Sequence, residues 1–214
     1  VVRVKRYTGD SSQFRDPTAS LWRTVPQEAL PLDPAPLLAQ PSPFVQASWR
    51  DRPYGLVDRL LVQAVYSDSE ISFRLQWEDP AADAAIDDTD AFGDAAAVLF
   101  PLKSDAPLTS MGSPQEPVVI WYWRPDIERP YLVRAEGIGT SSRQTAAVEA
   151  AGRHDGAGWA VVLSRGLDQG AADGVVFAPG RRGKAAFAVW QGANAERAGI
   201  KAATLQWQPL EIEA

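Results

Sequence analysis

The stretch EISFRLQW, residues 70–77, sets Ile71, Phe73, Leu75 and Trp77 at every second position with Ser72, Arg74 and Gln76 between them. Successive side chains on an extended strand point to opposite faces, so this alternation predicts a β-strand with one face in a core and the other half exposed. Ser67-Asp68 just before it reads as a turn, and LVDRLLVQAVY, residues 56–66, reads as its hairpin partner.

The same reading extends outward along the chain. DAAAVLF, PVVIWYW, PYLVRAEG, GWAVVLSR, KAAFAVW and ATLQWQPLEI are short β-type runs divided by turn signals. In KAAFAVW both faces are apolar, Ala186, Ala188 and Trp190 against Phe187 and Val189, which predicts a strand buried on both sides. Only residues 83–97 and 193–198 look capable of a helical turn. Many short strands without a long amphipathic helix between them predict an all-β fold, an antiparallel β-sandwich. The chain of 214 residues, 45% hydrophobic, reads as one domain spanning 1–214. Its first 55 residues, with PQEALPLDPAPLLAQPSPF at 26–44, predict an extended, proline-rich segment that wraps the sheet.

Composition excludes several classes of function. A net charge of -6, with no Lys/Arg-rich run, is opposed to nucleic-acid binding by counterion release. The absence of cysteine removes disulfides, Cys-ligated zinc, iron-sulfur clusters and covalent haem attachment through CxxCH. With no run of 18 apolar residues, no membrane-spanning helix is predicted.

Four local features carry candidate chemistry. GRRGK at 180–184 lacks the spacing and the following helix of a phosphate loop, since a strand continues through Ala185. His154 is the single histidine, and GRHDGAGW around it reads as a hairpin turn, so a solvated turn residue is expected rather than a Ser-His-Asp base. Asp83, Asp87, Asp88, Asp90 and Asp94 offer hard oxygen ligands for calcium but not EF-hand spacing, and a solvated acidic loop is the simpler reading. Eight tryptophans admit a sugar-stacking platform, although most fall inside apolar strands. Met111, the single methionine, stands apart: it sits on a Gly/Ser/Pro turn rather than in a core.

Three segments in order, DAFGDAAAVLFP (90–101), TSMGSPQEPVVIWYWRP (109–125) and GKAAFAVWQGANAERAGIKA (183–202), give the chain its resemblance to a known family. It resembles the haem-binding gamma subunits of periplasmic molybdenum enzymes related to ethylbenzene dehydrogenase, among them dimethylsulfide dehydrogenase and the selenate and chlorate reductases. The resemblance runs from about residue 56 to the C-terminus. It implies a fold similar to the cytochrome domain of cellobiose dehydrogenase and one non-covalent b-type haem, ligated by a methionine and a lysine. Met111 matches the methionine. Lys184, directly before AFAVW, is taken as the lysine, with Lys201 in GIKA as the competitor and His154 as the ligand of an alternative Met/His arrangement. Arg181 and Arg182 are charge-compatible with haem propionates. With both axial positions filled, the implied role is electron transfer rather than catalysis. The implied partners are a catalytic alpha subunit carrying a molybdenum cofactor, an iron-sulfur beta subunit, and an external soluble cytochrome, in the periplasm. The alternative from another class is a carbohydrate-binding β-sandwich.

Overall fold

A computed structural model of the chain describes residues 1–86, 88, 90–103, 106–144, 147–169 and 173–214. Among the described residues fourteen strands form: β1 Val2–Arg6, β2 Glu28–Pro31, β3 Asp33–Pro34, β4 Arg59–Tyr66, β5 Glu70–Glu78, β6 Ala95–Pro101, β7 Val118–Trp123, β8 Tyr131–Ala135, β9 Ser141–Arg143, β10 Glu149–His154, β11 Gly158–Gly166, β12 Arg182–Trp190, β13 Ala202–Ala203 and β14 Gln208–Ile212. The one α-helix among them is α1, Pro43–Trp49.

The strands make two layers. In the first, β10, β11, β5, β4, β1 and β14 lie side by side. Arg182 to Ala185 of β12 pair with β14 in that layer, whereas Ala186 to Trp190 pair with β6 in the second. β7, β8 and β9 follow β6 outward, and β13 pairs β12 and β3 on the other side. β12 thus belongs to both layers. The sheet is mixed rather than wholly antiparallel, because β1 runs parallel to both β4 and β14.

The core between the layers follows from the alternation in β5. Phe73 is fully buried, and its ring meets Phe100, Trp121 and Phe177 at centroid distances of 5.5, 5.9 and 6.3 Å. The opposite face of β5 is less exposed than its polar residues suggest. Short 3-10 turns at Ser11–Arg15 and Ser20–Thr24 cover part of it, with Phe14, Leu21, Trp22 and Val25 packed on Val65 and Val162. Ser72 is satisfied there by the Ser164 hydroxyl at 2.7 Å.

Two elements differ from the sequence expectation. The first 55 residues are not uniformly extended: β1 is inserted into the sheet, and α1 begins where Ser42 caps the Val45 N–H and Pro43 takes the first helical position. Proline is tolerated there because that N–H has no helical partner in any case. Residues 83–97 carry no helix among those described, and β6 begins at Ala95. No helix among the described residues is long and apolar enough to cross a membrane.

Candidate functional site

The outward face of the second layer is where small side chains collect. Ala95 and Ala97 of β6, Ala186 and Ala188 of β12, and Ala203 of β13 are buried on this face, ringed by Leu99, Val118, Ile120 and Trp190. Ala188 stands opposite Ala97 on one side and Ala203 on the other, so the alanines form a continuous low floor. Above this floor lies a cavity of about 40 Å³, lined by Pro36, Gln40, Leu99, Leu108, Met111 and Lys201 among others.

Met111 reaches it from the connection between β6 and β7. The Met111 N–H donates to the Leu108 carbonyl at 2.9 Å and the Gly112 N–H to the Pro107 carbonyl at 2.8 Å. That pair of bonds is a Schellman closure, which calls for a left-handed residue at the position Met111 occupies, usually glycine. Met111 has φ 57°, at a cost of about 1–2 kcal/mol for a residue with a Cβ. Gly112 follows at φ 83°, and a Cβ there would meet the Ala135 carbonyl oxygen at 2.9 Å. The two-residue turn is therefore fixed tightly, with the thioether carried inward.

Lys201 arrives from the opposite side, on the segment between β12 and β13. That segment is held by a buried carboxylate: Glu196, 1% exposed, accepts from the Gly55 N–H at 2.6 Å, the Asn194 side chain at 3.0 Å and the Gln191 N–H at 3.1 Å. The Lys201 carbonyl accepts from the Ala35 N–H at 2.9 Å. Its amine donates to Met111 Sδ at 3.7 Å and stands 5.0 Å from the Trp190 ring centroid. Burial alone pushes the amine down to about 8. Among the described residues no salt bridge reaches Lys201. An amine whose proton is held less tightly than usual and a thioether, facing each other without a carboxylate among the described residues, would, once the amine gives up that proton, be nitrogen and sulfur donors suited to a transition metal rather than to calcium.

Backbone strain concentrates in the same two segments. Among the described residues, the non-glycine residues with left-handed φ are Met111, Ala195 and Ala198. Each costs free energy that the surrounding contacts must offset, and such residues gather where a side chain has to be aimed.

The other candidates lie elsewhere. Lys184 shares a strand face with Ala186 but is exposed and does not line the cavity, because burial of β12 starts only at Ala185. The structure thus brings Met111 together with Lys201, where the sequence reading had preferred Lys184. Arg181 and Arg182 are exposed at the same end of β12. His154 ends β10, its Nε2 2.8 Å from the Asp79 carbonyl oxygen and its ring 5.1 Å from that of Trp159. It also does not line the cavity. Seven of the eight tryptophans are buried, and half-buried Trp207 donates to the Ala106 carbonyl at 2.8 Å, so none presents a fully open ring face for sugar.

The acidic stretch is not simply a solvated loop. Asp87 lies outside the described residues. Asp94 is fully buried and accepts from the Gly192 N–H and the Asp83 N–H at 2.8 Å and from Trp159 Nε1 at 2.9 Å. It ties the start of β6 to the turn that opens the Lys201 segment. Among the described residues no group of three or more His, Cys, Asp or Glu side chains is disposed to hold a metal ion. Burial raises Asp94 to about 6 from 3.8. Between those values the native chain holds more proton than the unfolded one, so unfolding free energy should fall as pH rises from about 4 to 6, by up to about 3 kcal/mol. Urea unfolding of wild type and Asp94→Asn across this range should show that slope in the wild type and lose it in the variant.

Comparison with known proteins places these segments in context. The sequence model described as ethylbenzene dehydrogenase matches residues 19–145 and 130–202. A Haloferax mediterranei protein named as a respiratory nitrate reductase heme subunit is 36% identical over 91% of this chain and 67% of its own length. The chlorate reductase subunit gamma of Ideonella dechloratans is 34% identical over 99% of this chain and 84% of its own length. In fold, the chain is similar to a family 9 carbohydrate-binding module from Caldicellulosiruptor kristjanssonii solved with glucose, at TM-score 0.52 and 9% identity, covering 100% of this chain and 95% of that one. At that identity the likeness concerns the β-sandwich architecture alone.

Proposed function

The chain belongs to the ethylbenzene dehydrogenase family, and from that premise we propose that it is the haem-binding electron-transfer subunit of a molybdenum enzyme, with Met111 and Lys201 as the axial ligands of one non-covalent b-type haem. The observation that carries this reading is the contact, over an alanine floor, of a thioether at 3.7 Å with a buried amine that meets no carboxylate among the described residues. When bound, haem supplies a one-electron ferric/ferrous couple. The chain's own residues do the rest. Met111 provides a soft neutral sulfur that favours the ferrous state and raises the potential. Lys201 provides a nitrogen lone pair, available because burial has already weakened its hold on the third proton. With both donors engaged, a bound haem would offer no open site to substrate or oxygen, so the chain would relay electrons as an accessory subunit, not the catalytic one.

The donors fit the group, but the cavity is far below the roughly 300–1,000 Å³ of a usual cofactor pocket. Haem binding would therefore require the Met111 turn and the Pro36 to Gln40 segment to part over the floor. The wider setting belongs to the same reading: a molybdenum-bearing alpha subunit, an iron-sulfur beta subunit, an external soluble cytochrome, a periplasmic location, and kinship of fold with the cellobiose dehydrogenase cytochrome domain.

Titration of the purified protein with haem tests the reading directly. One equivalent should give a low-spin, six-coordinate b-type spectrum, with the haem extractable by acidified organic solvent. A spectrum indistinguishable from free haem in buffer, or saturation only at many equivalents, would sink it.

A further inference from the structure

Trp190 is the aromatic side chain set against the Lys201 amine, and it does two things at once. Its ring face lies 5.0 Å from Nζ, and its Nε1 donates to the Ala198 carbonyl at 3.0 Å. Ala198 is one of the left-handed residues of the segment, so the indole N–H pins a strained turn three residues before Lys201. Trp190 is itself 7% exposed, and Tyr122 meets it edge to face at 5.4 Å. The ring therefore has little freedom to turn away from the amine.

Trp190 leaves the Lys201 amine few orientations, and in the one it takes the amine donates to Met111 Sδ. We infer that Trp190 is the positioning residue of Lys201: its ring face, over the amine at 5.0 Å, and its Nε1 bond to the Ala198 carbonyl together keep the nitrogen beside the thioether. This rests on the reading of Lys201 as an iron ligand. The hydrogens of a metal-bound amine are more positive than those of a free neutral amine, so a ligated Lys201 would still be drawn to the negative face of the indole after losing its proton. The ring thus holds the ligand in place as well as aiming it. Trp190 does not touch the metal, and its effect is read through the stability of the lysine bond.

The experiment uses the haem-loaded protein and follows displacement of the native nitrogen ligand by added imidazole, in the ferric state, by stopped-flow absorption. Trp190→Leu removes the π face and should speed displacement about tenfold, while Trp190→Phe, with a weaker face and no N–H, should fall between the two. The low-spin resting spectrum should survive in Trp190→Phe, and thermal unfolding of each protein before loading reports whether its fold is intact. Equal displacement rates in wild type and Trp190→Phe would overturn the inference even if Trp190→Leu failed to fold. Equal rates in the Phe and Leu variants would assign the effect to the Ala198 hydrogen bond and overturn the π-face role. Lys201→Ala, run alongside, separates the two readings. A low-spin spectrum that persists without Lys201 defeats the ligand assignment itself, whereas its loss, with unaltered Trp190 variants, defeats only the positioning role.

Discussion

Lys201→Ala, loaded with haem, is expected to lose the low-spin six-coordinate spectrum and to give a high-spin or water-ligated one. Alanine keeps the Ala35 hydrogen bond, which uses only the Lys201 backbone, and leaves the adjoining β13 pairing of Ala202 and Ala203 untouched, so the change falls on the side chain rather than on the segment. Substitutions beside a metal ligand commonly cost 10–100-fold in metal affinity, and loss of the ligand itself should cost at least as much. Lys184→Ala and His154→Ala should leave the spectrum as it is, because the first changes an exposed residue at the end of β12 and the second a residue at the β10–β11 turn. Absorption and electron paramagnetic resonance spectra of the three variants decide the matter. Retention of the low-spin state in Lys201→Ala together with its loss in Lys184→Ala would reverse the assignment.

Met111→Leu acts on the other side of the cavity. Leucine matches methionine closely in volume and keeps the packing against the alanine floor, at a cost usually below about 1.5 kcal/mol. The left-handed backbone at this position is equally strained for either residue, so the variant should fold much as the wild type does. What it removes is the sulfur. The haem-loaded variant should lose six-coordination on that side, and its midpoint potential should drop because the ferrous state has lost its soft ligand. Spectroelectrochemical titration measures both, and a potential at or above the wild-type value would contradict a coordinating role for Met111.

Much of the architecture was written in local pattern. The period-two alternation of Ile71, Phe73, Leu75 and Trp77 and the doubly apolar run of Ala186 to Trp190 predict strands at β5 and β12, and both form. Met111 stood out for a different reason: a lone methionine on a glycine turn invites either a side chain folded back onto the sheet or a ligand, and the structure packs it against the alanine floor.

Other features depend on pairings distant in sequence. Nothing in VVRVKR predicts insertion between β4 and β14, and α1 was hidden by the density of prolines around it, although Ser42-Pro43 is itself a helix-start signal. The choice between the two lysines shows the limit of local reading. Lys184 precedes an apolar run and looks interior, whereas Lys201 follows the polar stretch NAERAG and looks exposed. The structure inverts this because Glu196 turns inward to satisfy N–H groups from Gly55 and Gln191, folding the polar stretch onto the sheet and carrying Lys201 with it. A buried carboxylate with three donors was the missing signal, and one of its donors, the Gly55 N–H, lies 141 residues away in sequence.

The placement of β1 has a kinetic consequence. Val2 pairs with Leu210 and Val4 with Ala64, so a strand at one end of the chain has one neighbour near the other end. Without β14 the first layer ends at β1 and has no strand to join it to β12, and β14 flanks the Arg182 to Ala185 half of β12, whose remaining half is part of the alanine floor. Pairings of such separation are late and slow to form, since a large loop must close before any contact rewards it. Assembly of the proposed ligand site is therefore coupled to the docking of β14: a chain that lacked residues 208–212 would carry the Met111 turn and the Lys201 segment on an incompletely supported β12, and insertion of a cofactor would follow folding rather than guide it.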